Sequence, residues 1–235
     1  IAGHIMLLLE IVSSSGLGSL LGMRHALEPD HLAAVSTLAT GERSSAKAAW
    51  LGACWGVGHT FTLVTTGAAL IFLRAEMPAS AADLFELLVA VMLVGLGVRA
   101  MYRAARQGPD GPTHAHHHGR LVHVHPGVPA HIHIGRWTLA RRPLLIGAVH
   151  GLAGSGALTA LVLATLPSTA ARLTYMVLFG LGSTVGMAAL SGVLGWPLAR
   201  LHAHQGIARG ISLVVGVFSI ALGLAWGYPL ISRIL

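Results

Sequence analysis

Long apolar runs separated by short polar segments dominate this chain. Residues 16–40, 48–73, 84–103, 143–166, 173–194 and 210–230 are each apolar over roughly the length a helix needs to cross a bilayer. The pattern therefore predicts about six membrane-spanning helices. Residues 1–12 are apolar but short, and Ser13-Ser14-Ser15-Gly16 loosens the chain behind them, so they are predicted to extend the first helix outward. They carry no basic start and no small-residue cleavage site, which argues against a cleavable signal peptide. Between the third and fourth spans, residues 107–141 are polar, and Gly111, Pro112, Pro126 and Pro129 predict an irregular loop.

The second half repeats the first. Leu21-Gly22-Met23-Arg24-His25-Ala26-Leu27 parallels Ile146-Gly147-Ala148-Val149-His150-Gly151-Leu152, and Gly56-Val57-Gly58-His59-Thr60 parallels Gly180-Leu181-Gly182-Ser183-Thr184. Leu96-Gly97 and Tyr102 match Leu222-Gly223 and Tyr228. Each copy holds three spans, an odd number, so the two lie in opposite orientation in the membrane. The predicted fold is all-α: a polytopic membrane protein of about six transmembrane helices as two inverted three-helix repeats. The first repeat is residues 1–105, the loop 106–141 and the second repeat 142–235.

Composition agrees. The chain has 235 residues, 54% hydrophobic and only 10% charged, where a soluble domain carries about a quarter charged. Net charge is +7, but the basic residues sit between the spans, which speaks to membrane orientation and not to nucleic acid. Arg43, Lys47, Arg103, Arg106, Arg120, Arg136, Arg141, Arg142, Arg200 and Arg209 fall on one side; Arg74, Arg172 and Arg233 fall on the other. The positive-inside rule predicts an outside N-terminus and a cytoplasmic central loop in the cell membrane. The single cysteine, Cys54, excludes an internal disulfide and a dithiol mechanism.

Against this apolar background stands His25-Ala26-Leu27-Glu28-Pro29-Asp30-His31. Two imidazoles and two carboxylates crowd seven residues inside a span. Ionisable groups at membrane depth need partners and usually serve a function. On an unbroken helix His25 and His31 would point about 120° apart. Pro29 opens the turn and lets His25, Asp30 and His31 converge. Broken helices carrying ligands at membrane depth build transporter ion sites. Imidazole plus carboxylate suits nickel, cobalt or zinc, whereas magnesium and calcium want oxygen alone. Glu28, His59 and His150 join the candidate ligands. His150 stands 125 residues after His25, and Ser155 stands 125 after Asp30, so the second copy lacks that carboxylate. The central loop adds His114, His116, His117, His118, His123, His125, His131 and His133, a composition that captures metal.

The motif His25-x-x-x-x-Asp30-His31, with Arg24 before it and Leu32-Ala33-Ala34 after it, resembles the signature of the nickel–cobalt transporter (NiCoT) superfamily. Gly58-His59-Thr60 resembles that family's Gly-His-Ser/Thr element. Residues 143–157, with His150-Gly151-Leu152-Ala153-Gly154-Ser155, are similar to its urease-accessory-type nickel permease branch. The His-rich loop resembles the branch that exports nickel and cobalt. Glu28-Pro29 stands where the family more usually carries Asp-Ala. The resemblance implies that His25, Asp30 and His31 select and pass the metal.

These readings converge on a secondary permease for Ni²⁺ and/or Co²⁺, uptake being the expected direction and efflux the alternative. An intramembrane metalloenzyme is the less favoured class, since no His-Glu-x-x-His helix is present. No enzyme activity and no prosthetic group are expected; the metal ion is the substrate. Expected partners are the ion, the bilayer and a cytoplasmic metallochaperone or urease maturation proteins, with no nucleic acid.

Overall fold

The computed structural model describes residues 16–40, 42, 44–106, 113–118, 121–126, 131–134, 137–201 and 205–234, with backbone alone for the strand residues up to 139 and for residue 205. Helix α1 covers residues 16–25 and α2 covers Pro29–Ala39. They are followed by α3 (Ser45–Leu73), α4 (Ala79–Arg106), α5 (Arg141–Thr165), α6 (Thr169–Leu201) and α7 (Gln205–Ile234). Among the described residues five helices, α3 to α7, are long and apolar enough to cross a membrane. The chain is a multi-pass membrane protein whose spanning part is helical. These helices run a few residues past the apolar runs that predict them. Their ends carry Ser45, Lys47, Arg103, Arg106, Arg172 and Arg200, residues that sit at a membrane surface.

The predicted first span is broken in two at its proline. Pro29 is the first residue of α2 and has no N–H to give the turn before it. Steric conflict with its ring drives the preceding Glu28 out of the helical region, to φ −64° and ψ 149°. The end of α1 tightens in response: the Leu27 N–H donates to the Arg24 carbonyl at 2.9 Å and the Glu28 N–H to the His25 carbonyl at 3.0 Å.

Helix α3 packs against α5 and α6, and α4 packs against α7; α2 touches α4, α6 and α7. Apolar side chains face lipid as readily as each other, so close backbone approach rather than hydrophobic burial selects these pairs. Glycines allow it, and their contacts recur in matched sets. A Cβ on Gly22 would overlap the Phe179 carbonyl, and one on Gly147 the Trp55 carbonyl. A Cβ on Gly182 would overlap the Ser19 carbonyl, and one on Gly58 the Leu144 carbonyl. Gly56 abuts Thr184 while Gly180 abuts Thr60, and the Thr60 and Thr184 hydroxyls lie 2.9 Å apart. Between α4 and α7, Gly97 meets Gly216 and Ile220, and Gly223 meets Ala90 and Val94. There the Ser219 hydroxyl donates to the Leu93 carbonyl at 2.7 Å.

The central segment departs from the irregular loop that its glycines and prolines predict. Strands β1 (Thr113–His118) and β2 (Leu121–Pro126) form one antiparallel hairpin, and β3 (His131–Ile134) and β4 (Trp137–Ala140) another. His114 pairs with His125, His116 with His123, and Ile132 with Leu139. The reason is local: Val and Ile alternate with His in β2 and β3, a β-branched period of two. Pro126 is tolerated because it is the last residue of its strand. The side chains of the predicted loop ligands His114, His116, His117, His118, His123 and His125, like residues 1–15, lie outside the described residues.

Candidate metal site

The break between α1 and α2 places its side chains against α3 and α5. His25 ends α1, and Asp30 and His31 occupy the first turn of α2. His59 projects from the middle of α3 and His150 from α5. The sequence separates these residues by up to 125 positions; the fold brings the His25 and His31 ring centres to 4.3 Å, His31 and His150 to 4.1 Å, and His25 and His59 to 5.4 Å. The glycine contacts make this possible. Gly151, next to His150, lies on the His59 carbonyl, so α3 and α5 meet backbone to backbone at the level of the site. The Thr62 hydroxyl donates to the Ala148 carbonyl at 2.9 Å and ties the two helices there.

The cluster is buried. His59 is 0% exposed, His31 1%, His150 2% and Asp30 8%. Trp55, one turn before His59, lies 5.3 Å from the His31 ring and 5.6 Å from the His150 ring. Phe179 of α6 closes the His25 side at 5.3 Å. Neither aromatic residue stands out in the sequence, because a Trp or Phe in an apolar run reads as core. Their role shows only when distant helices are put together.

Asp30 is the hub. One carboxylate oxygen accepts from the His31 backbone N–H at 2.9 Å and lies 3.0 Å from His31 Nδ1; the other lies 2.7 Å from His150 Nε2. An ionised carboxylate only accepts, so both ring nitrogens donate to it. Glu28 does the same for His25, its oxygen 2.9 Å from Nδ1. That carboxylate is half exposed, at the mouth of the break.

With Nδ1 of His25 and of His31 turned to carboxylates, the free lone pair on each ring is at Nε2. Those two atoms, and both nitrogens of His59, are buried with no hydrogen-bond partner among the described residues. Buried polar atoms are nearly always paired, so four such nitrogens in one pocket mark a place for a ligand. Two groups have ligand atoms within 4.8 Å of one another: His25, His31 and His59, and Asp30, His31 and His150. A carboxylate behind a metal-binding imidazole fixes its tautomer and raises its basicity. The arrangement fits a borderline divalent cation, which imidazole binds well.

The other sequence candidates fall as follows. Glu28 stands behind His25 and is in neither group. Ser155, the counterpart of Asp30, is buried and donates to the Leu152 carbonyl of its own helix at 2.7 Å, away from ligand duty. Cys54 is buried and in neither group.

A helical multi-pass membrane protein with a buried cluster of histidines at a helix break defines the class as a metal-ion transporter. The family described as "High-affinity nickel-transport protein" (NicO) matches residues 11–225, and the chain belongs to it. The chain is 31% identical over 221 residues to "Urease accessory protein UreH" of Bacillus sp. (strain TB-90), covering 94% of this chain and 93% of that protein. It is 28% identical over 219 residues to "Chloroplast protein FOR GROWTH AND FERTILITY 1" of Arabidopsis thaliana, covering 91% of this chain and 58% of that protein. No solved structure matches the chain significantly. Nickel transport, and not catalysis, is the class of activity.

Proposed function

We propose that the protein is a secondary permease that carries Ni²⁺, with Co²⁺ as a second cargo, into the cell on a site made of His25, His31 and His59. The observation that carries this is the set of buried nitrogens without partners on those three rings. Asp30 and Glu28 orient two of the rings and supply two negative charges, which offset a divalent ion that would otherwise be costly at this depth. His150 holds Asp30 from the other side. Uptake follows the membrane potential, which contributes about 4.6 kcal/mol per divalent ion at 100 mV, twice the single-charge value.

The reciprocal glycine contacts support two inverted repeats, 1–105 and 142–235, related by a pseudo-twofold axis. Gly22 against Phe179 corresponds to Gly147 against Trp55 when α1 and α5 are offset by 125 residues and α3 and α6 by 124. The Thr60–Thr184 and Leu93–Ser219 contacts each join a residue to its own counterpart, 124 and 126 positions apart, as residues on such an axis would. In this reading the α1–α2 pair is the sixth span, the N-terminus is outside, and the hairpins at 106–141 are a cytoplasmic His-rich segment that receives the metal and passes it to a metallochaperone or urease maturation proteins.

The test is the nickel and cobalt content of cells expressing the protein or its His31→Ala variant at matched membrane abundance. A metal-dependent rise with the parent only is the expected result. A fall below the empty-vector level identifies an exporter, and equal content in all three refutes the site.

A further inference from the structure

His31 belongs to both groups of ligand atoms, and its two ring nitrogens differ: Nδ1 lies 3.0 Å from Asp30, while Nε2 is buried with no hydrogen-bond partner among the described residues. We propose that Asp30, His31 and His150 form a second ion station, and that the transported cation is handed to it from the trihistidine station across the His31 ring. This rests on the reading of His25, His31 and His59 as the cargo site. The ligand set of the second station is complete: one carboxylate and two imidazoles, all buried, with Asp30 Oδ2 only 2.7 Å from His150 Nε2. Three protein ligands that leave a coordination position open make a site an ion can enter and leave.

The step balances without gain or loss of a proton. A neutral imidazole has one lone pair and one N–H. When the ion sits among the Nε2 atoms, His31 carries its proton on Nδ1 and gives it to Asp30. When the ion moves across, that proton resides on Nε2 and Nδ1 becomes the ligand. His150 likewise moves its proton from Nε2 to Nδ1, which is buried and has no other partner among the described residues. Asp30 exchanges two hydrogen bonds for one bond to the metal. Because His31 offers one lone pair at a time, the stations are filled alternately and the chain holds one ion. On the second side one neighbour, His150, comes from the other half of the chain, so the hand-over joins the two halves. The hand-over carries the ion from the α1–α2 break, where half-exposed Glu28 stands, to α5.

Two variants test this, both in the full-length chain with the eight histidines of residues 113–133 replaced by asparagine so that the His-rich segment holds no nickel. His25→Leu/His59→Leu removes two ligands of the first station and leaves the second whole. The purified full-length variant is expected to bind one Ni²⁺ per chain, with two imidazoles counted by X-ray absorption. Failure of a monodisperse, folded preparation to bind nickel overturns the second station. His150→Gln puts an amide N–H near the position of Nε2, keeping the hydrogen bond to Asp30 while removing the ligand nitrogen. It is expected to bind one Ni²⁺ with three imidazoles and to lose transport at least about tenfold. A residue that only held Asp30 in place would tolerate the amide, so transport at the parent rate by His150→Gln overturns the proposal, as does binding of two Ni²⁺ per chain in that asparagine background with both stations intact. In either case loss of transport in His31→Ala would leave the cargo site standing. Normal transport by His31→Ala would remove both readings.

Discussion

Asp30→Asn separates charge from hydrogen bonding at the centre of the site. The side chain keeps its size. Its remaining carbonyl oxygen can still accept from the His31 backbone N–H and from His31 Nδ1, which lie at 2.9 and 3.0 Å. The amide nitrogen then faces His150 Nε2, now 2.7 Å from a carboxylate oxygen. That donor pair is relieved when His150 moves its proton to Nδ1, an atom with no other partner among the described residues. Folding therefore loses only the charge-assisted part of two bonds, about 1–3 kcal/mol. The loaded state loses more. A buried divalent ion keeps His31 oriented but is left with only the half-exposed Glu28 as nearby negative charge. Removal of a carboxylate behind a metal-binding imidazole costs about 10–100-fold in affinity, or about 1.4–2.8 kcal/mol. Initial rates of nickel accumulation, measured beside membrane abundance, should fall by at least that factor. Ser155→Ala is the control, since that hydroxyl serves only its own helix. Parent-like transport by Asp30→Asn together with a dead Ser155→Ala would place the site in the other half and refute the reasoning.

Two further outcomes are expected. Replacing residues 113–139 with a short Gly-Ser linker removes both hairpins and should raise the nickel concentration for half-maximal uptake while leaving transport intact; complete loss in a correctly inserted variant would show that the hairpins belong to the transport path. In a background without Cys54, a membrane-impermeant thiol reagent added from outside should label Ser80→Cys and spare Gly119→Cys; the reverse pattern would invert the topology.

The sequence makes the spanning helices, the break at Pro29 and the convergence of His25, Asp30 and His31 legible, because each follows from local rules: apolar length, a missing N–H, a steric clash before proline. Which lone pair is free is not legible. A one-dimensional cluster shows Asp30 and Glu28 beside histidines, but only the packed structure shows that Asp30 lies between His31 and His150 and that Glu28 lies against His25 Nδ1. Trp55 and Phe179 escape notice for the same reason, being unremarkable until α2, α3 and α6 are packed. The hairpins are partly legible. Val122-His123-Val124-His125 and Ile132-His133-Ile134 alternate as strands do, and Gly119-Arg120 and Gly135-Arg136 are the two-residue connections a tight hairpin favours. The density of Gly and Pro around them masks that pattern.

Two glycines of α5, seven residues apart, put the packing argument at risk in one comparison. A Cβ on Gly147 would overlap the Trp55 carbonyl and sit against the Trp55 ring, the same residue that walls His31 and His150. No flexible side-chain end is available to give way there, so α3 and α5 would have to separate. That separation pulls His150, which holds Asp30, away from Trp55 and His59 on α3. A Cβ on Gly154 meets nothing within 4 Å, and alanine is the better helix former by roughly 0.5–1 kcal/mol. The same substitution on the same helix should therefore act in opposite directions. Gly147→Ala should lower the thermal midpoint of the detergent-solubilised protein and cut nickel transport by an order of magnitude or more, about the effect of moving a ligand by an ångström. Gly154→Ala should match or slightly exceed the parent in stability and transport normally. If Gly147→Ala were as stable and as active as Gly154→Ala, the close α3–α5 approach would not be what positions the site.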